Sequence, residues 1–330
     1  MRSSASPVRL LFAATGLALV AMAPSAASAQ DSFPVKPIQL VLPFPPGGAT
    51  DVVGRIVAQK LGERLGKTIV VENRPGAGTV VGASYVAKAA PDGYTLLASS
   101  GTTFTVNPAV YPKLPYDPQK NFEPIGLIGV TGLILLANRD VPVNNLKEFV
   151  AAAKNEPGKY SYGSFGAGTT AHFAGEQLLN LTGAKMLHVP YKGSAPAMTD
   201  LIGGQIPFSI DTVAAAIPQV RAGKVKAIAV TTARRSSLLP NVPTVAEGGY
   251  PGMDASTWIA LMAPRGLPAE VHAKLEKALA DTIADPDTRK KLADNGIEPS
   301  FATGKQVSAM IEKEIPQMRA IAQRANIKLD

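Results

Sequence analysis

A short apolar strand that runs into prolines and a glycine pair, and from there into a helix, is the feature that most constrains this chain. The segment spans residues 40–51, and Gly47 and Gly48 permit the positive φ values that other residues avoid. Thr50 or Asp51 is suited to cap the helix that follows. The first N–H groups of such a helix lack intrahelical partners and attract an anion such as a carboxylate. The alternative interpretation is an ordinary strand-to-helix turn.

The same order of strand, glycine-rich loop and helix occurs again in the middle of the chain. The second loop spans residues 163–170, after a short strand and before a helix that extends to residue 181. Strands and helices alternate along most of the sequence, which predicts an α/β fold with mainly parallel sheets flanked by helices. Sites in such sheets lie beyond the carboxyl ends of the strands. The first glycine loop and the hydroxyl-rich loop at residues 99–103 are therefore candidates for one cleft.

Two apolar runs, at residues 125–137 and 257–262, have the length and composition of buried strands that cross between domains. They predict two lobes joined by a hinge. Residues 30–132 and 258–330 form the first lobe, and residues 133–257 form the second. The predicted architecture is therefore a two-lobed clamp with its cleft at the joint.

The start of the chain has the pattern of a secretory signal peptide over residues 1–29. Arg2 and Arg9 precede an apolar run at residues 10–23. The small residues at 27–29 predict cleavage after Ala29, and the whole pattern predicts a periplasmic protein. A membrane anchor is the alternative, but the run is short for a transmembrane span. The sequence contains no cysteine, which excludes disulfides and thiolate metal sites.

Composition and motifs disfavour several other functions. The net charge of +8 comes from scattered lysines and arginines, without the basic stripe of a nucleic-acid-binding protein. Residues 166–171 fit the G-x-G-x-x-G/A pattern of dinucleotide sites, but residues 187–191 lack the acidic residue that such sites need. The three histidines are not spaced as metal ligands, so neither a metal nor a cofactor is expected.

Several polar or aromatic side chains allow more than one interpretation. A secreted serine hydrolase would combine Ser164, His172 and Asp211, although no G-x-S-x-G nucleophile elbow surrounds the serine. His172 either faces the cleft or packs, and Asp211 either caps a helix or contacts a ligand. His188 is expected in the core. Trp258 is either a core residue or a reporter of lobe motion.

Six segments carry a resemblance to a known family. They include both glycine loops, an Asn-Arg-Pro-Gly-Ala-Gly turn, an Ala-Pro-Asp-Gly-Tyr turn, and later His-Val-Pro-Tyr-Lys-Gly and Leu-Pro-Asn-Val-Pro-Thr segments. Their positions are residues 43–51, 71–78, 90–96, 162–168, 188–193 and 239–247. With these segments in this order, the chain closely resembles the solute receptors of tripartite tricarboxylate transporters, the Bug receptor family.

The resemblance implies a periplasmic, type II binding-protein fold that closes on a small mono-, di- or tricarboxylate, without catalysis. Family members hold one carboxylate largely through backbone amides and two ordered waters. Carried over, this marks Phe44, Pro45, Gly47, Gly48, Ala49, Thr50, Gly166, Gly168, Thr169 and Thr170. Further residues match positions that line such clefts: Ser99, Ser100, Thr102, His172 and Asp211. The implied partners are membrane transporter subunits or a sensor kinase, and the receptor is expected to be a monomer.

Overall fold

The computed structural model describes residues 33–329, so the predicted signal peptide at residues 1–29 lies outside the described residues. The strands are β1 (Ile38–Leu42), β2 (Ile69–Asn73), β3 (Thr95–Ser100), β4 (Phe122–Asn138), β5 (Ser161–Ser164), β6 (Leu187–Pro190), β7 (Phe208–Thr212), β8 (Val225–Val230), β9 (Ser256–Pro264) and β10 (Glu298–Pro299). The helices are α1 (Ala49–Leu65), α2 (Val80–Ala87), α3 (Asn107–Val110), α4 (Leu146–Asn155), α5 (Thr170–Thr182), α6 (Ser194–Ile202), α7 (Val213–Arg221), α8 (Ala269–Ala284), α9 (Pro286–Asp294) and α10 (Gly304–Arg324). Within the described range, no helix has both the length and the apolar character that a membrane crossing requires.

Two groups of parallel strands are joined by two long strands that run between them. β2, β1 and β3 are parallel neighbours in the first group, and β6, β5 and β7 in the second. The 17 residues of β4 pair first with β9 and then with β7 and β8, always antiparallel. β9 also pairs with β3. The chain therefore crosses between the groups near the two apolar runs in the sequence.

Apolar side chains cover both faces of each strand group, because successive residues of a strand point to opposite faces. In the first group, Leu40 packs in a core with α1 and α8, whereas Val41 packs in a second core with α2 and α10. In the second group, Leu135 packs in a core with α4 and α5, and Ile134 in another with α6 and α7. Each group is therefore a sheet covered by helices on both sides.

The hydroxyl-rich segment expected as a loop at residues 99–103 is instead regular structure. Ser99 and Ser100 still belong to β3, and a π-helical turn follows directly at Thr102–Val106. The hydroxyls are buried and bond to one another: Thr103 Oγ1 pairs with the Ser99 hydroxyl and donates to Thr79 Oγ1 at 2.8 Å. Because these hydroxyls satisfy each other, the segment stays ordered inside the protein rather than opening to solvent.

Candidate ligand-binding site

The N-terminus of α1 has three backbone N–H groups without a hydrogen-bond acceptor in the described part of the chain. They belong to Gly48, Ala49 and Thr50. Gly48 is the N-cap residue, with φ −89° and ψ 173°, and no side chain caps the helix. The expectation that Thr50 or Asp51 is the N-cap was wrong, because the Asp51 carboxylate turns back to the loop. Of the two loop glycines, only Gly47 has a positive φ, at 93°.

The Asp51 carboxylate holds this first loop in shape. It accepts hydrogen bonds from the Gly47 N–H at 3.1 Å and from Asn73 Nδ2 at 3.0 Å, and it pairs with Arg55 at 2.9 Å. Burial acts to raise its pKa, but the hydrogen bonds outweigh burial, so the pKa of Asp51 lies below its usual value. Asn73 also donates to the Phe44 carbonyl at 3.0 Å. The free N–H groups are thus positioned by side chains that lie behind the loop.

The second glycine loop differs from the first because other groups of the protein already use three of its N–H groups, those of Gly166, Gly168 and Thr170. Gly166 N–H donates to Ser164 Oγ at 3.2 Å, and Gly168 N–H donates to His172 Nδ1 at 3.2 Å. Thr170 N–H, at the start of α5, donates to Thr102 Oγ1 of the first strand group, also at 3.2 Å. This last bond joins the two strand groups. The second loop therefore supplies rigidity and contact between the groups.

His172 and His188 stack beneath the second loop. Their ring centroids are 3.8 Å apart, and His188 Nε2 lies 2.7 Å from Ser164 Oγ. Burial lowers the pKa of His172 to about 4, and burial together with the neighbouring His172 lowers the pKa of His188 to about 3. Ser164 thus contacts His188 and not His172. The residues proposed for a hydrolase, Ser164, His172 and Asp211, are not assembled as a triad.

Asp211 is fully buried at the end of β7. Its Oδ1 accepts hydrogen bonds from the Ser194 hydroxyl at 2.8 Å and the Thr212 N–H at 2.7 Å, whereas Oδ2 has no hydrogen-bond partner among the described residues. Burial raises the pKa of Asp211 to about 6, although these hydrogen bonds act in the opposite direction. Thr212 caps α7 by accepting the Ala215 N–H at 3.2 Å, so Asp211 is not the helix cap. One oxygen of the carboxylate remains available to a further donor.

A cavity of about 20 Å³ lies where the first loop meets the start of α6. Its lining residues are Phe44, Pro45, Gly48, Ala49, Thr50, Ser100, Phe165, Ser194, Thr212 and Thr257. The rings of Phe44 and Phe165 meet edge to face, with centroids 6.1 Å apart. A Cβ added at Gly48 would lie 3.4 Å from Ser194 Oγ, which shows how closely the two helix N-termini approach. The two strand groups are therefore in contact around this cavity, and none of the lining residues is a lysine or arginine.

The structure brings six predicted site residues into this lining and leaves the others behind it. Phe44, Pro45, Gly48, Ala49, Thr50 and Ser100 line the cavity. Outside the lining lie Gly47, Ser99, Thr102, Gly166, Gly168, Thr169, Thr170, His172 and Asp211. Sequence reasoning missed Phe165, Ser194, Thr212 and Thr257. For Ser194 a signal existed, since it follows a glycine and opens a helix, as Ala49 does after Gly48.

Comparison with known proteins places the chain in a family. A sequence model of the family described as tripartite tricarboxylate transporter family receptor matches residues 53–327. The chain belongs to this family. This receptor is 35% identical over 320 residues to Protein BugT of Bordetella pertussis. The alignment covers 97% of this chain and 98% of BugT. The structure of the periplasmic binding protein BugD, at 37% identity, has a TM-score of 0.85 and covers 90% of this receptor and 99% of BugD.

Two other solved structures contain carboxylates. An R. palustris protein with adipate is 34% identical to this receptor, with a TM-score of 0.87 and coverage of 90% of this chain and 99% of its own. MatC from Rhodopseudomonas palustris with bound malate is 32% identical, with a TM-score of 0.81 and coverage of 88% and 99%. Proteins whose structures are similar to this receptor therefore bind carboxylates.

Family membership decides several predictions made from the sequence. The resemblance to the Bug receptors and the two-lobed α/β fold are confirmed. Members of the tripartite tricarboxylate transporter receptor family are periplasmic solute-binding proteins, not enzymes, so the prediction of a receptor without catalysis is confirmed as well. The hydrolase alternative is wrong.

Proposed function

We propose that this receptor binds a small carboxylate between its lobes and delivers it to a membrane transporter of the tripartite tricarboxylate type. The observation that supports this most strongly is the N-terminus of α1. Three N–H groups without acceptors, at Gly48, Ala49 and Thr50, lie on a cavity with no lysine or arginine in its lining. Such donors, together with the positive end of the helix dipole, favour an anion. A sensor kinase is the alternative recipient of the loaded receptor.

In this proposal the carboxylate is held by backbone groups, hydroxyls and water. One carboxylate oxygen accepts from the α1 terminus, and the Ser194 hydroxyl at the start of α6 lies on the opposite wall of the cavity. Asp211 contributes through its free Oδ2, which accepts from an ordered water or a ligand donor. The predicted residues of the second loop support the site by fixing the lobes around the ligand. They are Gly166, Gly168, Thr169, Thr170 and His172.

The lobes of the proposed clamp are residues 30–132 with 258–330, and residues 133–257. The division at the crossings is supported by β4, whose pairing changes from β9 to β7 and β8 after Gly132. Pro45 of the first loop lies against Gly193 of the second lobe, where an added Cβ would be 2.8 Å from Pro45 Cγ, so this contact belongs to the closed arrangement of the proposed clamp. We further propose export as a monomer through a signal peptide cleaved after Ala29, which intact-mass analysis of the periplasmic fraction tests.

A thermal-shift screen with mono-, di- and tricarboxylates tests the proposed binding. A ligand that binds only the native protein stabilises it by RT ln(1 + [L]/Kd), about 2.7 kcal/mol at a hundredfold excess over Kd. We expect at least one small carboxylate to raise Tm by several degrees and its amide or ester analogue to have no effect. A panel in which no carboxylate changes Tm, although the protein is folded, would contradict the proposal.

A further inference from the structure

A second and larger cavity adjoins the ligand cavity. It has a volume of about 280 Å³ and is bordered by α5, α10, the π-helical turn and the start of β9. Thr257 lines both cavities and is 3% exposed. The first cavity, at about 20 Å³, has room for little more than one water-sized group. A ligand anchored at the α1 N-terminus would therefore extend past Thr257 into the second cavity.

The charged groups of the second cavity are carboxylates. Glu314 of α10 is largely buried, and its Oε2 accepts the indole N–H of Trp258 at 2.9 Å. Asp254 also lines the cavity but is exposed, and its Oδ1 accepts the Ala233 N–H at 3.0 Å. No lysine or arginine is among the residues that line this cavity. Two cations lie outside the lining. Lys313, the exposed neighbour of Glu314 on α10, acts to lower the pKa of Glu314, and Arg324 lines a cleft that shares Gln177 and Ile321 with the second cavity.

Two hydroxyls on the same walls lack partners. Thr257 Oγ1 and Thr170 Oγ1 are buried and make no hydrogen bond within residues 33–329, although other hydroxyls nearby, such as that of Thr105, are satisfied. A buried polar group without a partner is energetically unfavourable, because it has lost its hydrogen bonds to water. Because both line the second cavity, they indicate that a polar group belongs between them when the site is in use.

We infer that the ligand carries an amino group at the end opposite its anchored carboxylate, and that this group lies in the second cavity beside Glu314. The inference rests on the proposed function, since the anchored carboxylate sets where the far end lies. An ammonium group there would pair with Glu314 and donate to the free hydroxyls of Thr170 and Thr257. A second carboxylate would meet Glu314 and Asp254 with no lining cation to offset the repulsion.

Burial already favours the neutral form of the Glu314 carboxyl group, because it raises the pKa above the usual value. A second buried carboxylate would add to this cost, whereas an ammonium ligand would offset it by favouring the charged form of Glu314. The second cavity therefore discriminates between ligands by charge, while the first cavity recognises the carboxylate that all of them share.

The test compares ligands of matched length by calorimetry on the full-length mature protein. The probes are butyrate, glutarate and 4-aminobutyrate, and the next larger set pentanoate, adipate and 5-aminopentanoate. We expect the better amino compound to bind at least about tenfold more tightly than the dicarboxylate of its set. The variant Glu314→Gln, which keeps an acceptor for Trp258, should remove that preference. Glu312→Gln is the matched control, because Glu312 lies on the same helix, is exposed and does not line this cavity.

The outcomes separate this inference from the function on which it rests. Dicarboxylates that bind as tightly as the amino compounds, or more tightly, would overturn the amino-group inference while carboxylate binding stands. The same holds if Glu314→Gln and Glu312→Gln leave the preference equally intact. Failure of every carboxylate to bind would contradict the proposed function itself. The preference of the wild-type protein between amino compounds and dicarboxylates decides the question by itself. The test therefore remains valid even if Glu314→Gln does not fold.

Discussion

The imidazole rings of His172 and His188 stack with centroids 3.8 Å apart and planes 9° apart. His172 Nδ1 accepts the Gly168 N–H, which requires that this nitrogen carry no proton. The nearest carboxylate, Glu176, lies 3.9 Å from His172 Nε2 and accepts the Tyr162 hydroxyl at 2.6 Å. The pair is therefore a neutral support for the second glycine loop.

Acid should destabilise the protein between about pH 6 and pH 4. Burial lowers the pKa of His172 and of His188 from 6.5 to about 4 and about 3, so the unfolded chain takes up these protons first as the pH falls. Burial raises the pKa of Asp211 from 3.8 to about 6, so the native protein takes up that proton first, with the opposite effect. Two histidines against Asp211 leave at most about one proton, or about 1.4 kcal/mol of unfolding free energy per pH unit, and Glu314, whose pKa burial also raises, reduces this slope.

Urea unfolding at several pH values measures this slope. The unfolding free energy should be close to its maximum above pH 6.5 and should decrease towards pH 4. The variant Asp211→Asn should steepen the loss, because a group that opposes the histidines is removed. A free energy that stays constant or increases from pH 6.5 to pH 4.5 would show that the histidines are not held neutral.

Replacing Gly48 should block ligand binding without unfolding the protein. Gly48 has an ordinary negative φ, so a side chain causes no backbone strain, but its Cβ would lie 3.4 Å from Ser194 Oγ. Gly48→Ala should weaken carboxylate binding by less than tenfold, and Gly48→Val by more than about a hundredfold, because the larger side chain fills the cavity. Calorimetry and circular dichroism measure both. Unchanged affinity in a folded Gly48→Val protein would mean that the first loop is only a turn.

Gly193→Ala should hinder closure of the lobes. Gly193 has φ 118°, and an added Cβ would lie 2.8 Å from Pro45 Cγ. Gly158→Ala is the matched control, because Gly158 also has a positive φ, at 83°, but no atom lies within 4 Å of the added Cβ. We expect a loss of ligand affinity and a larger scattering radius only for Gly193→Ala. If both variants lose ligand affinity to the same extent, the loss comes from backbone strain at a positive φ and not from the contact with Pro45.

Ligand binding should change the fluorescence of Trp258, the only tryptophan in the chain. Its ring stacks on Phe104 at 6.0 Å, its N–H donates to Glu314 at 2.9 Å, and it lines the second cavity. A group that enters this cavity alters the polarity around the indole, so saturation should shift the emission, and Trp258→Phe should abolish the signal. No change on saturation, with binding shown by calorimetry, would place the ligand away from this wall.

The sequence predicted the frame of the molecule because periodicity and loop chemistry are local properties. The apolar run at residues 125–137 indicated a crossing strand, and β4 occupies 122–138. The first glycine loop also opens a helix as expected. The Gly47-Gly48 pair permits positive φ at both glycines, and only Gly47 uses it, where its N–H donates to Asp51.

The cavity lining depended on contacts that sequence periodicity does not report. Ser194 and Thr257 lie 146 and 209 residues, respectively, after Gly48 in the sequence, and meet the first loop only in the folded chain. The two glycine loops looked alike in sequence, but His172, Ser164 and Thr102 occupy the N–H groups of the second. Two local side chains, Ser164 and His172, and one from a distant element, Thr102, therefore leave the second loop with fewer free N–H groups than its sequence indicated.

The central claim is that backbone N–H groups, and not a cationic side chain, recognise the carboxylate. The cations within the predicted motifs are Arg74, which pairs with Glu72 at 2.6 Å and stacks on the Tyr85 ring at 3.8 Å, and the exposed Lys192. Neither lines the cavity. The most direct test is calorimetric titration of Arg74→Met and Lys192→Met with a carboxylate found by the screen. Affinities within about tenfold of the wild type are predicted, whereas a loss beyond about a hundredfold in either folded variant would contradict the account.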